Sequence, residues 1–317
     1  MVTHFKARIR KALDALLTRK NYQLISDDTL RHYIEFTNNI LGEIEANAQS
    51  KTIESIVFSK DRAMQLHAFL TSYIEQVANR GKVTILYKCT NERHKKSYEE
   101  LKACFKGEDF VFVEESDFRP QLIQICQASR ADKIVFFVDD MIFTHAIDFA
   151  TLERLNTSSS ILALSRGCDM DYSVVLQKPI SKPQFTDIGN GLLRFNWNFS
   201  PEFSDWTYPL GVSGYMYGRI EILAMLKSIK FKAPNSLEMA MQVYLPFYAI
   251  REGVCTNNAA CVCVHANLVQ SEIENPTLGT FSIEELLQLW EDGKRIEVRD
   301  FYNKPMNITQ EQSYTFK

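Results

Sequence analysis

From Ile53 to Val138 the apolar positions switch between two periods. IESIVFS, VTILYKC, FVFVEE and KIVFFVDD are short runs rich in β-branched and aromatic residues, and each predicts a strand. RAMQLHAFLTSYIEQV, HKKSYEELKACF and PQLIQICQAS lie between them with apolar residues at helical spacing. Strands alternating with helical segments of ten to sixteen residues predict a doubly wound α/β fold around a mostly parallel sheet. Beyond Asp140 the alternation weakens. SILALSR, LLRFNWNF and CVCVHAN read as further strands, and residues 168–210 as loop-rich and aromatic. GYMYGRIEILAMLKSI is expected to be a helix, or a turn and helix, and NSLEMAMQVYLPFY a helix opened by Asn235 or Ser236. SIEELLQLWEDG carries a capping box from Ser282 to Glu285 and a stop at Gly293.

Residues 1–50 have a different character and are expected to form a helical extension of the domain at 51–317. HFKARIRKALDALLTRK sets six Lys/Arg against one Asp, with Phe5, Ile9, Leu13 and Leu16 or Leu17 at helical spacing. Such a helix either packs on the domain with a solvated basic face or touches an anionic membrane surface. A second helix is predicted from an N-cap at Asp27 or Asp28.

Composition narrows the classes. An apolar content of 45% is enough for a large core. A net charge of −3 without a long Lys/Arg block argues against a nucleic-acid partner. No run of 18 apolar residues and no secretory signal is present, so the expected location is cytoplasmic, with peripheral contact at the inner membrane face left open. The seven cysteines form no C-x-x-C pair, and Cys261 and Cys263 alternate in an apolar strand, the pattern of core thiols in a reducing compartment. The chain also lacks G-x-G-x-x-G after its first strand, G-x-x-x-x-G-K-[ST] and G-x-S-x-G. Dinucleotide-binding, P-loop and α/β-hydrolase readings are thereby weakened.

The candidate chemistry starts at Asp139 and Asp140, which end the apolar strand Ile134–Val138. The carboxyl end of such a strand is where open α/β sheets bind ligands. Two adjacent acids there call for a positive partner, and a hard divalent cation carrying phosphate is the natural one. The alternative is that they cap a following turn or helix.

The order of these pieces resembles the GT-A fold glycosyltransferases, nucleotide-sugar enzymes related to family 2 and of bacterial type, over residues 53 to about 300. That resemblance implies a GT-A-like single domain, with a donor half at 51–145, an acceptor half at 146–300 and a tail at 301–317. IVFSKDRAMQLHAFL is similar to the family's opening strand and turn, so Ser59, Lys60, Asp61, Arg62 and Gln65 would line the nucleotide site. FFVDDMIF resembles a shortened D-x-D element, implying Asp140 on Mn²⁺ or Mg²⁺ and Asp139 at the ribose. His265 falls where many relatives place a further metal ligand. Glu238 matches an acid that faces the acceptor hydroxyl as general base, with Asp205 the second choice. YPLGVSGYMYGR resembles the acceptor-side segment, although some relatives carry Asp-Gly-His where this chain has Ser213, Gly214 and Tyr215.

The resemblance therefore implies a metal-dependent transfer of a sugar from a nucleotide diphosphate sugar, UDP-sugar favoured, to a glycan or lipid-linked acceptor, with inversion. A nucleotidyltransferase ranks lower, because the SKDRAMQ loop has no glycine. A catalytically inert nucleotide-binding or partner-binding scaffold is the non-enzymatic alternative.

Overall fold

The computed structural model describes residues 13, 17, 25–46, 52–267, 281–311 and 313–317. The chain divides into two compact units, Met1–Leu41 and Gly42–Lys317. The basic segment at 4–20 lies outside the described residues apart from Leu13 and Leu17. Helix α1 (Asp27–Ala46) forms as its pattern predicts, but neither Asp27 nor Asp28 caps it. Ser26 does: its Oγ accepts from the Thr29 N–H at 3.2 Å. A serine hydroxyl is as good a cap as aspartate, and the two acids then complement the helix dipole from the first turn.

In the larger unit the alternating pattern becomes β1 (Ile53–Lys60), α2 (Ala63–Gln76), β2 (Val83–Lys88), α3 (Glu92–Cys104), β3 (Phe110–Glu114), α4 (Phe118–Ala128) and β4 (Lys133–Val138). There follow β5 (Met141–Phe143), β6 (Ser160–Gly167), β7 (Thr186–Gly189), β8 (Leu192–Asn196), β9 (Tyr215–Gly218) and α5 (Arg219–Ser228). The chain continues through α6 (Pro234–Met241), β10 (Glu252–Thr256), β11 (Cys261–Val264), α7 (Ile283–Glu291) and β12 (Gln310–Glu311). The main sheet has nine strands in the order β7-β8-β10-β6-β9-β4-β1-β2-β3. β1 pairs in parallel with β2 and β4, β2 with β3, and β10 with β6. β9 runs antiparallel between β4 and β6, and β8 antiparallel to β10. The result is a mixed, mostly parallel sheet.

Both faces of the sheet are buried at its central strands β1, β2, β4 and β6, which is why those strands read as continuous apolar runs. Val57, Val135 and Phe137 point into one core, with Leu66, Phe69 and Tyr73 of α2. Ile56, Phe58, Ile134 and Phe136 point into the other, with Leu122 of α4 and Leu226 of α5. Burying each such large side chain contributes roughly 1.5–3 kcal/mol. Cys261 and Cys263 are buried and free, as their spacing implies.

Two expectations are corrected. Tyr215–Gly218 is a strand, not part of a helix; its short apolar stretch satisfies its backbone against β4 and β6, and only Arg219–Ser228 is helical. The predicted helix from Asn235 to Tyr248 breaks at Met241, followed by a 3-10 turn and a four-residue helix. Pro246, inside the second piece, has no N–H to continue the ladder.

Candidate active site

β4 ends at Val138 and the chain turns through Asp139 and Asp140 directly into β5. β5 belongs to a second, three-stranded sheet with β11 and β12. The two acids therefore sit at the junction of two sheets and cap no helix. The Val264 N–H donates to the Asp140 carbonyl at 2.8 Å, which fixes the end of β11, and with it His265, beside the acids.

The turn after β1 brings a cation to them. Asp61 adopts φ 55°, in the left-handed region that aspartate tolerates better than most residues. Its N–H donates to the Lys88 carbonyl at 3.1 Å and its Oδ1 accepts from the Thr90 N–H at 2.8 Å. This pinned turn directs Arg62 back across the sheet. Arg62 Nη1 donates to Asp139 Oδ1 at 3.1 Å and to Asp140 Oδ2 at 2.9 Å. Its Nη2 donates to the Asn267 carbonyl at 2.7 Å. The positive partner demanded by the acid pair is thus supplied in part by the chain itself. Burial opposes the Arg62 charge, but Asp139 and Asp140 outweigh it and raise its pKa.

Asp139 is held on both oxygens. Ser59 Oγ donates to its Oδ2 at 2.8 Å, and the Lys60 N–H at 3.2 Å. Burial pushes its carboxyl up to about 6, against the pull of Arg62. Because the Ser59 proton goes to Asp139, the contact between Ser59 Oγ and the Tyr98 hydroxyl must be donated by tyrosine. Tyr98 Oη in turn accepts from the Arg62 N–H at 3.2 Å. Asp140 differs: its Oδ1 is buried without a hydrogen-bond partner. At His265 burial lowers the ring pKa more than Asp140 raises it, favouring a neutral imidazole.

A cleft of about 720 Å³ opens over this group and extends to a second wall. Glu238, in α6, stands on that wall. Its Oε2 accepts from the Val212 N–H at 2.9 Å and its Oε1 from the Tyr208 hydroxyl at 3.1 Å. Burial raises its pKa, opposed by those two bonds and by Arg166. A carboxylate made more basic by burial and fixed in place by two donors suits proton abstraction. Asp205 faces Arg166, with Oδ1 3.8 Å from its Nη2, and Arg166 also donates to the Tyr215 hydroxyl at 3.2 Å. That pairing makes Asp205 a less available base than Glu238.

Ser59, Lys60, Arg62, Asp139, Asp140, Asp205, Glu238 and His265 all line the one cleft. Asp61 and Gln65 do not: Asp61 anchors its turn, and Gln65 donates to the Asn267 side chain at 3.1 Å beneath the surface. In the altered acceptor-side segment Ser213 lines the cleft and Tyr215 is buried. Gly214 has φ +81°, and a Cβ there would lie 3.3 Å from the Ser165 nitrogen, so the tight passage into β9 requires glycine. Trp197, Trp206 and Tyr217 belong to the core, whereas Tyr208 reaches the cleft. Sequence reading missed Tyr98, Arg166 and Gln242; Tyr98 and Arg166 reach the site from elements distant in the chain, whereas Gln242 stands four residues beyond Glu238.

No family model matches the chain. Over 297 residues it is 24% identical to the bifunctional glycosyltransferase pgtA of Dictyostelium discoideum. That similarity covers 81% of this chain, which spans only 37% of the relative's length. Among solved structures it is similar to TarS 1-349 of S. aureus, at 12% identity and a TM-score of 0.40, over 68% of this chain and 60% of that one. The same protein in complex with UDP-GlcNAc overlaps 71% of this chain and 60% of its own, at 13% identity and a TM-score of 0.40. GalNAc-T7 with UDP, GalNAc and Mn2+ overlaps 75% and 47%, at 8% identity and a TM-score of 0.45.

Proposed function

We propose that the chain is a glycosyltransferase that moves a sugar from a nucleoside diphosphate sugar, UDP-sugar favoured, to the hydroxyl of a glycan or lipid-linked acceptor. The observation that carries the reading is the single cleft joining the Asp139–Asp140 corner to Glu238. The similarity to a curated glycosyltransferase over most of the chain supports it. The donor's diphosphate would lie at the ends of β1 and β4, near Lys60 and Arg62, whose charges suit phosphate oxygens. Glu238 would take the acceptor proton as the hydroxyl attacks the anomeric carbon, the arrangement that inversion requires.

The donor set fits a divalent cation in part. Asp140 Oδ1 is a buried oxygen without a partner, and His265 favours its neutral form. Among the described residues no group of three or more His, Cys, Asp or Glu is gathered to hold an ion. Asp140 and His265 would therefore hold Mn²⁺ or Mg²⁺ only together with phosphate oxygens and water, as is usual for ions bound along with a nucleotide. When bound, the ion would offset charge on the departing diphosphate.

A second reading, a nucleotide-binding or partner-binding scaffold without turnover, is favoured by Arg62, which already offsets part of the charge of the aspartates. Calorimetry with UDP, GDP, CDP and dTDP, each with Mn²⁺, Mg²⁺ or EDTA, separates the two. Tight binding of one diphosphate only with metal is expected. Absence of binding under every condition would leave the scaffold reading. A basic N-terminal helix at the membrane face belongs to the same proposal, and among the described residues no helix is long and apolar enough to cross a membrane.

A further inference from the structure

We propose that Tyr208 and Gln242 are positioning residues for Glu238, together fixing its carboxylate as a proton acceptor facing the cleft. The inference rests on the reading of Glu238 as base. Gln242 Nε2 lies 3.0 Å from the Leu210 carbonyl and 2.8 Å from the Glu238 carbonyl. Two carbonyl oxygens accept only from nitrogen, so the orientation of the amide is determined by its surroundings. The same Nε2 lies 2.9 Å from the Tyr208 hydroxyl oxygen; its two protons are shared among these three oxygens, and an amide nitrogen accepts nothing, so the phenol cannot donate there. The phenolic proton is left to point at Glu238 Oε1, 3.1 Å away.

With Val212 N–H on the other oxygen at 2.9 Å, the carboxylate cannot rotate without breaking a bond. Each oxygen accepts one hydrogen bond and keeps a lone pair for an incoming proton. The charged and titratable groups around Glu238 are Arg166, Tyr208, Tyr215, Tyr217 and Cys263. Arg166 is engaged by Tyr215 and Asp205. Tyr208 is the side chain among them that bonds the carboxylate directly. Burial and the adjacent carboxylate raise the Tyr208 pKa, so it stays protonated through the working pH range. In the reaction the acceptor O–H bond breaks and its proton passes to Glu238. The oxygen pair forms the new bond to the anomeric carbon, and the diphosphate departs with the electrons of the old one. Tyr208 keeps its proton throughout.

The test is carboxyl-¹³C NMR titration of Glu238 in the full-length protein, its resonance identified as the one missing from Glu238→Gln. Tyr208→Phe removes a donor to the ionised form, so the midpoint is expected to rise by roughly one pH unit. Gln242→Leu frees the phenol to rotate and is expected to raise it less. Hydrolysis of UDP-sugars with Mn²⁺ should show its acid limb displaced by the same amount in Tyr208→Phe, with the donor KM unchanged. A tyrosine that only packs would move neither. An unmoved midpoint in Tyr208→Phe, with Glu238→Gln inactive, overturns this inference and leaves Glu238 as base. Wild-type hydrolysis by Glu238→Gln overturns the base reading and this inference with it.

Discussion

Arg62→Met is the most direct perturbation of the acid corner, because it keeps an unbranched stem and removes the charge. Arg62 is only 8% exposed and bonds Asp139, Asp140 and the Asn267 carbonyl. Without it Asp139 retains Ser59 and the Lys60 N–H, whereas Asp140 loses the guanidinium from Oδ2 and already lacks a partner on Oδ1. Removing one side of a buried ion pair costs about 3–5 kcal/mol at neutral pH. The pH dependence has a definite sign. Burial raises Asp139 in the folded protein to about 6 from the ordinary 3.8, so the folded state binds the proton more tightly than the unfolded one. Its contribution to stability therefore falls as pH rises through that interval. Loss of Arg62 moves the folded value further up, so the penalty should be greatest above neutrality and shrink towards about pH 5. Urea unfolding of wild type and variant at about pH 7.5 and about pH 5 reads both quantities. If the ion proposal is right, Mn²⁺ together with UDP, at about a hundred times the Kd of the pair, restores roughly 2.7 kcal/mol to the variant. A loss below about 1 kcal/mol, or an equal loss at both pH values, would refute the reasoning.

Three further outcomes follow from the same geometry. Asp140→Asn should abolish the metal dependence of diphosphate binding in calorimetry while the fold, read by circular dichroism, is kept; unchanged metal dependence removes Asp140 from the ion site. Glu238→Gln should lower kcat about 10²–10⁴-fold with little change in donor KM, measured by release of nucleoside diphosphate. Gly253→Ala tests the packing of β10 alone, since a Cβ there would meet the Phe195 ring at 2.3, 2.5 and 2.6 Å. Overpacking of this kind costs about 1–3 kcal/mol. A lowered Tm that Phe195→Leu partly restores in the double variant is expected.

The sequence by itself determined the alternating strands and helices from Ile53 to Val138, because a strand buried on both faces must be apolar throughout and each crossover helix must show one apolar stripe. It also determined where Asp139 and Asp140 stand, since the end of a buried strand is visible as the end of its apolar run. The same local signals failed at Tyr215–Gly218, whose strand exists only because β4 and β6 leave a gap that its backbone fills. β10 gave no strong signal either: Gly253 lowers its propensity and is present because Phe195 lies against the backbone. Only the tertiary structure decided which charge answers the acid pair, for Arg62 and Asp140 are far apart in the chain and meet through the parallel pairing of β1 with β4. It also brought Tyr208 to Glu238 and Gln242, which lie one helical turn apart. Hydrogen bonds between distant segments leave no periodicity, so nothing in the order of residues announces them; the fold creates them by closing the sheet and its loops around one cleft.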